Sequence, residues 1–187
     1  LYDAYLKYWK DEWAQKKNLN YGAGTNGVVS GSTPTRVHFY PRKSGDVILD
    51  ILNKVKCTKR GKRIYVAMAM WNTGRVAIVK RLKALRGKGC DVKIVIGTYS
   101  LNRKLEAYLK KNFPRKRWRR HLKLHSKYMV INAQYNGQNK WMVITGSANY
   151  CIGTIRNNDN ATLVVRGKTN AAKYFANWKK IWREAKY

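Results

Sequence analysis

Acidic residues are scarce in this chain. Nine Asp and Glu residues stand against 40 Lys and Arg residues among 187, which gives a formal net charge of +31. Residues 107–158 contain no Asp or Glu at all. Because a two-metal site needs clustered carboxylates, this segment excludes that kind of site, and we expect no metal cofactor.

Cysteines and long apolar runs are also few. Three cysteines are too few for a disulfide scaffold, although Cys57 and Cys90 each precede a predicted strand and are candidates for one bridge, with Cys151 left over. No apolar run approaches the length of a membrane span, and the chain shows neither an initiator Met nor a signal sequence. We therefore expect a processed product or a part of a longer chain.

The excess of positive charge predicts a polyanionic partner. A field of this size attracts nucleic acid or an anionic membrane surface. The alternative is a solvated basic surface without a partner, although the self-repulsion of such a surface lowers stability. An apolar fraction of 44%, with 7 Trp and 13 Tyr, excludes a disordered chain and fits one domain with a hydrophobic core.

Apolar periodicity predicts alternating strands and helices. Helices are predicted at 1–17, 44–56, 75–86, 101–112 and 170–186, and strands at 36–40, 63–70, 91–96, 122–131, 141–145 and 161–165. Asp46 supplies capping chemistry for the second helix, and Asn136-Gly137 is typical of a hairpin turn. This order predicts an α/β fold over 36–187, a mixed central β-sheet flanked by helices (an α/β/α sandwich), after a connector helix and linker at 1–35.

His125 and Lys127 are the first candidate site residues. They are separated by one residue in a predicted strand, so their side chains point to the same face. A lysine in an apolar, β-rich stretch is costly unless it has a function or a partner. A nucleophile or base beside a fixed cation suits attack on a phosphodiester. The remaining histidines are interpreted as structural at His38 and as an exposed contact at His121.

A glycine-containing turn follows this strand at hairpin distance. Gly146 permits close approach of the backbone to a ligand, and Ser147 and Asn149 offer short side chains that can bind a phosphate or a neighbouring histidine. On its own this tetrapeptide is an ordinary turn. Its position after the histidine and lysine makes it a candidate part of the same site.

These motifs resemble the signature of the phospholipase D superfamily, H-x-K-x4-D followed by G-S-x-N and an N-D-E type element. Here the first two motifs are His125-Ser-Lys127 and Gly146-Ser147-Ala-Asn149, and the third element corresponds to 158–160. The resemblance extends over most of the chain and implies a single phospholipase D-like lobe, similar to the C-terminal half of a secreted bacterial member. The positions of Cys57 and Cys90 also look like those of secreted bacterial members, which implies an extracellular protein.

The resemblance implies a role for each matching residue. His125 would be the nucleophile that forms a phosphohistidine. Lys127 and Asn149 would bind the nonbridging phosphate oxygens, and Ser147 would support the histidine or the phosphate. The family uses no metal, so the resemblance implies no cofactor.

Two positions depart from the family pattern. Asn132 stands where the family has Asp, and Asn160 stands where it has an acidic residue downstream. A carboxylate can orient a histidine or hold its positive charge, and an amide cannot supply that charge. Asp159 is the candidate replacement for one of the two acids.

The chain has a single H-x-K motif, whereas the family pairs two. One histidine attacks and the other protonates the leaving group. The resemblance therefore implies a second H-x-K lobe, supplied either by a homodimer or by a preceding chain segment. The predicted helix at 1–17 looks like the connector that follows a first lobe.

A basic run with one aromatic residue precedes the histidine. Such a run suits contact with a phosphate backbone and a stacked base. Its members are Arg115, Lys116, Arg117, Trp118, Arg119 and Arg120.

Two functions follow from these features. The first is a metal-independent phosphodiester hydrolase acting through a phosphohistidine on nucleic acid or phospholipid. The second is a catalytically weakened or inactive module that binds nucleic acid or anionic lipid, which the two asparagine replacements favour. A cationic structural or antimicrobial protein is a third reading, and the preserved motifs count against it.

Overall fold

A computed structural model describes residues 1–13, 27–28, 35–58, 61–98 and 101–187. The end of the first predicted helix at 14–17 lies outside the described residues, as does most of the predicted linker at 18–35. None of the described helices is long and apolar enough to cross a membrane.

Within the described residues, nine strands form one mixed sheet. They are β1 Gly27–Val28, β2 Thr35–Tyr40, β3 Val55–Lys56, β4 Arg63–Met68, β5 Asp91–Gly97, β6 Trp118–His121, β7 Lys127–Tyr135, β8 Gln138–Gly146 and β9 Asn160–Arg166. Their order is β1-β2-β9-β8-β7-β4-β5-β6, and the short β3 pairs with β7. The β4–β5 and β5–β6 pairs are parallel and the other pairs are antiparallel.

Helices cover both faces of this sheet. They are α1 Tyr2–Trp13, α2 Val47–Asn53, α3 Val76–Gly87, α4 Arg103–Asn112, α5 Ile152–Arg156 and α6 Lys168–Glu184. Residues from α2, α3 and α4 share one buried apolar cluster with alternate residues of the central strands. The intervening residues of those strands pack with α6 in a second cluster. The predicted α/β/α sandwich is therefore confirmed.

The turn between β7 and β8 fixes the register of the longest strand pair. Tyr135 is opposite Gln138, so the turn has two residues, Asn136 and Gly137, with φ of 48° and 79°. Two successive left-handed residues form the turn that matches the natural twist of a hairpin. The hairpin predicted from Asn136-Gly137 is confirmed.

Several predicted boundaries were wrong. The second helix ends at Asn53, because Val55 leaves it to pair with Tyr135 of β7. The strand predicted at 122–131 starts at Lys127. The strand β6 and the short helix α5 were not predicted. β6 lies in the basic run, where charged residues conceal the strand pattern, and α5 is only 5 residues long.

A disulfide joins the two ends of the segment that crosses over from β4 to the parallel strand β5. Cys57 follows β3 and Cys90 precedes β5, and their sulfur atoms are bonded across a Cα–Cα distance of 5.2 Å. The bond closes the segment that contains β4 and α3. Cys151 is a free thiol and is partly buried.

Candidate active site

The start of β7 and the end of β8 lie side by side at one edge of the sheet. In the hairpin register Tyr128 is opposite Thr145, so Lys127 and Gly146 end the two strands as neighbours. Thr145 Oγ1 donates a hydrogen bond of 3.2 Å to Lys127 O. The carboxyl end of β4 lies at the same edge, because Met68 pairs with Lys127. We call this row of strand ends the site edge.

His125 lies just before β7, and its side chain contacts that of Lys127. Lys127 Nζ is 3.2 Å from His125 Nε2 and donates to His125 O at 3.1 Å. His125 is exposed and Lys127 is partly buried, and this burial lowers the pKa of Lys127. An imidazole nitrogen and an amine therefore face one accessible point, where a phosphate can contact both.

Gly146 and Ser147 tie the end of β8 to β9. Ser147 N donates to Ala161 O at 3.0 Å, and Ala161 N donates to Ser147 Oγ at 3.0 Å. Gly146 has a φ of +144°, and a Cβ atom there would collide with Ala161 O. The close approach that requires glycine is thus made by the backbone of β9. Ser147 is exposed, and its hydroxyl proton is still available to a phosphate or a histidine.

A buried ion pair positions Asn149. Arg75 Nη1 donates to Asn149 O at 3.2 Å, and Nε and Nη2 of the same guanidinium donate to the two oxygens of Asp46 at 2.9 and 2.5 Å. Arg75 is only 3% exposed. Asp46 also begins α2, where its side chain accepts from the backbone N–H groups of residues 48 and 49. The turn after β8 is therefore attached to the start of a helix that is distant in sequence.

Asn149 itself has an unused polar atom. Its Oδ1 is buried and has no hydrogen-bond partner among the described residues. Because an amide carries both an acceptor and two donors, Asn149 can accept from an N–H group of a ligand or histidine and donate to a phosphate oxygen. The unpaired atom is an acceptor and suits an N–H donor, so the phosphate-binding role that the sequence resemblance implies stays a prediction.

Arg75 was not predicted from the sequence as part of this arrangement. It is one of many basic residues, and it comes at the start of a predicted helix, where nothing in the local pattern marks it as buried. Asp46 was predicted only as a helix cap. The chain has only nine acidic residues, and a buried Arg must pair with one of these few carboxylates. This scarcity was a signal that Asp46 could be such a partner.

The structure separates Asn132 from His125, which corrects its expected supporting role. Asn132 lies in β7 opposite Trp141, five residues beyond Lys127. Five residues of strand span about 16 Å, and an odd spacing places the two side chains on opposite faces. The missing carboxylate at Asn132 therefore removes nothing from the surroundings of His125.

The downstream element reaches the site edge. Asp159 is exposed and directly precedes β9, two residues before Ala161, whose backbone is bonded to Ser147. Asn160 Nδ2 donates to Thr154 O at 3.2 Å, so this amide is already engaged within the chain. Asp159 is thus the carboxylate that the sequence places nearest to the Gly146–Ser147 turn.

The basic run does not lead directly into the strand of His125. Residues Arg115–Arg117 form one turn of 3₁₀ helix, and Trp118–His121 form β6 at the far side of the sheet. β6 pairs in parallel with β5, so the run begins at the edge opposite the site edge and only its end, at His121, reaches the site edge. Lys123, which is exposed, comes between that end and His125.

Most members of the basic run already have intramolecular partners. Trp118 is completely buried in the core, which corrects its expected role as a base-stacking residue. The described contacts of the arginines are these: Arg117 pairs with Asp91, Arg120 Nη1 lies 3.3 Å from Glu106 Oε1, Arg115 lies 4.3 Å from the Tyr187 ring centroid, and Arg119 lies 4.4 Å from that of Trp182. Lys116 is exposed. Much of this run therefore stabilises the edge of the fold.

The described residues contain no group of three or more His, Cys, Asp or Glu that could hold a metal ion.

The aromatic residues nearest to the motifs in sequence belong mainly to the core. Tyr128, Tyr135 and Tyr150 are each at least nine-tenths buried, and burial raises the pKa values of Tyr128 and Tyr150. The site edge is thus formed by polar side chains on an apolar, well-packed base.

Comparison with known proteins identifies the family. Residues 49–182 match the family model described as cardiolipin synthase, PLD-like domain, so the chain belongs to this family of phospholipase D-like domains. The matched segment includes His125, Lys127, Gly146, Ser147 and Asn149. The resemblance inferred from the sequence motifs is confirmed.

Solved structures show the same fold at low sequence identity. Nuc, a phospholipase D family member from Salmonella typhimurium, is 21% identical with a TM-score of 0.62, over 82% of this chain and 97% of that one. NucT from Helicobacter pylori is 17% identical with a TM-score of 0.57, over 82% and 98% of the two chains. Polyphosphate kinase from Porphyromonas gingivalis is 12% identical with a TM-score of 0.60, over 80% of this chain and 26% of that one. No curated protein sequence matches the chain.

The Arg75–Asp46 ion pair yields a stability prediction. We expect Arg75→Met to lower the free energy of unfolding by about 3 kcal/mol or more, because it leaves the Asp46 carboxylate without its buried partner. Urea denaturation measures this change. The exposed Arg103, at the start of α4, gives the matched control, and Arg103→Met should change stability by no more than about 0.5 kcal/mol. Equal losses in the two variants would contradict the structural role of Arg75.

Proposed function

We propose that this protein is a metal-independent phosphodiester hydrolase in which His125 is the nucleophile. The observation that carries the proposal is the 3.2 Å contact between His125 Nε2 and Lys127 Nζ at an exposed edge. Ser147 and Asn149 lie in the turn that follows the neighbouring strand β8. This set combines a nucleophile, a cation and two neutral hydrogen-bonding groups, which is what attack on a phosphodiester requires.

The reaction has two displacement steps. In the first, His125 Nε2 attacks phosphorus, an N–P bond forms, and the P–O bond to the leaving alcohol breaks. Lys127 and Asn149 stabilise the charge that grows on the nonbridging oxygens. In the second, water gives a proton to the group that protonated the leaving alcohol and attacks the same phosphorus, the N–P bond breaks, and the imidazole is restored.

The leaving alcohol needs a proton, and a second histidine is the natural donor. His121 lies in β6, three strands from β7 in the sheet order, and its Nε2 atom is 3.3 Å from Glu184 Oε2. His38 lies in β2, on the other side of β7 in the same order. The proposal therefore includes a second H-x-K lobe, from a homodimer or from a chain segment that precedes this one.

The substrate is proposed to be nucleic acid or a phospholipid. The formal charge of +31 favours a polyanion, and this supports nucleic acid more strongly than a single headgroup. The Cys57–Cys90 bond supports an oxidising location, so we propose a secreted protein.

A binding module without turnover is the second candidate. The observation that favours it is the Asn160 amide, which is engaged by Thr154 where the family pattern has an acid. TrmBL2, an archaeal chromatin protein whose structure shows a novel mode of DNA binding, shares the fold with a TM-score of 0.53. The distance of Asn132 from His125 weakens this alternative, because that replacement leaves the nucleophile unaffected.

The hydrolase proposal predicts a specific pattern of activity loss. Hydrolysis of nucleic acid or phosphatidylcholine should persist in EDTA and fall by about 10³-fold or more in His125→Ala and in Lys127→Ala. His121→Ala is the matched histidine control and should keep its activity. Full activity in His125→Ala would exclude this mechanism, and loss in EDTA would indicate a metal-dependent one.

Binding to a polyanion predicts a steep dependence on salt. The logarithm of the association constant for nucleic acid should fall linearly with the logarithm of salt concentration. Lys123→Gln should reduce the slope by about 1, because this exposed lysine lies two residues before His125. Lys88→Gln, at the opposite edge after α3, should leave the slope unchanged. A salt-independent affinity would contradict the polyanion proposal.

A further inference from the structure

A second basic site lies beneath α2, remote from the hairpin end that carries His125. It is a cavity of about 140 Å³ between α2 and strands β2 and β9, and Tyr135 lies in its wall. Tyr135 is at the other end of β7 from Lys127, about 26 Å away along the strand. We call this site the Arg42 cavity. The polar residues that line it are Arg36, His38, Arg42, Asp50, Lys54 and Arg166.

Arg42 is the unusual member of this lining. It is 3% exposed, and its Nε and Nη1 atoms are buried without a hydrogen-bond partner among the described residues. A buried guanidinium whose donors are unpaired is destabilising, and native proteins rarely tolerate it. In the part of the chain that the structure describes, Arg42 has no acidic partner of the kind that Arg75 has in Asp46.

The backbone holds Arg42 in place. Arg42 N donates to Ile155 O at 2.9 Å, and Arg42 O accepts from Arg156 Nη1 at 3.2 Å. Both main-chain groups are thus bonded to α5. The side chain is directed into the cavity from a fixed point, so a ligand would meet a preorganised donor.

The remaining polar residues give the cavity a strong positive charge. Arg36 and Lys54 are exposed, Arg166 is partly buried, and Asp50 supplies one negative charge that offsets one of the four cations. His38 Nδ1 is also buried without a partner among the described residues. Burial, and then the charges of Arg42 and Arg36, lower the pKa of His38 to about 4, so the imidazole is neutral near pH 7 and can donate one N–H.

We propose that the Arg42 cavity binds a phosphate-sized oxyanion, with Arg42 and His38 as inner donors and Arg36, Lys54 and Arg166 as surrounding cations. A bound oxyanion can accept from one of the two unpaired guanidinium donors, Nε or Nη1, and its charge offsets the net positive charge of the cavity. The volume is well below the roughly 300–1,000 Å³ of sites that enclose drug-sized ligands, so a compact anion fits best. The exposed position of Arg36 and Lys54 allows the anion to be free phosphate or a phosphate group of a larger molecule.

The test uses Lys127→Ala as the parent protein, because the candidate active site can also bind phosphate. Thermal midpoints are compared in potassium phosphate and in potassium chloride of equal ionic strength. At phosphate concentrations of about 100 times the dissociation constant, the thermal midpoint of the parent should rise by roughly 5–10 °C. Adding Arg42→Met should abolish this gain, whereas adding the control Arg103→Gln should preserve it.

A second variant covers the case in which Arg42→Met fails to fold. Arg36→Gln combined with Lys54→Gln changes only exposed residues, and it should raise the phosphate dissociation constant by about tenfold or more. An undiminished gain in the Arg42→Met protein, or an undiminished affinity in the Arg36/Lys54 protein, would overturn the proposal. The proposal would also be overturned if the thermal midpoint of the parent were no higher in phosphate than in chloride.

One further comparison distinguishes the two sources of the phosphate. An oligonucleotide is measured with and without a 5′-phosphate on the parent and on its Arg42→Met derivative. A phosphate group of a polynucleotide is the ligand if the 5′-phosphate strengthens binding only where Arg42 is present. Free phosphate is the ligand if the 5′-phosphate has no effect while inorganic phosphate still requires Arg42.

Discussion

The register of the β7–β8 hairpin decides which side chains meet at the site. The two-residue turn at Asn136 and Gly137 places Tyr128 opposite Thr145, and it therefore brings Lys127 beside Gly146. A slip of one residue would turn every side chain of a strand to the other face. Both faces of β7 are buried under helices, so such a slip would also disrupt both apolar clusters. The geometry of the site is thus fixed by the same packing that stabilises the fold.

The acidic residues that stabilise this arrangement lie outside the site. Asp46 attaches the turn at Asn149 to α2 through Arg75, and no acid is left beside His125 and Lys127 in sequence. The described acid–base pairs that join different parts of the fold are Asp46–Arg75, Asp91–Arg117, Glu106–Arg120 and Glu184–His121, whereas Lys7–Asp11 and Lys110–Glu106 lie within single helices. The rest of the positive charge remains available to a polyanion, and in the Arg42 cavity it is concentrated around a buried guanidinium.

Features determined by local sequence could be predicted, and features determined by distant contacts could not. The alternation of strands and helices, the Asn136-Gly137 turn and the motif residues all depend on neighbours within a few positions. The burial of Trp118 depends on β6 joining β5, and the burial of Arg75 depends on Asp46, which is 29 residues away. The distance of Asn132 from His125 was predictable in principle, because strand spacing alone places them apart. The Arg42 cavity needed the packing of α2 against β2 and β9, which no local pattern reveals.

The most direct test of the account is detection of the covalent intermediate on His125. The protein is mixed with a phosphodiester substrate, quenched at alkaline pH, where phosphohistidine survives, and digested for mass spectrometry of the peptide that contains residues 124–127. The account predicts a substrate-derived phosphoryl adduct on His125 that is absent from His125→Ala and present in His121→Ala. Turnover without any adduct on His125, or an adduct on another residue, would contradict it.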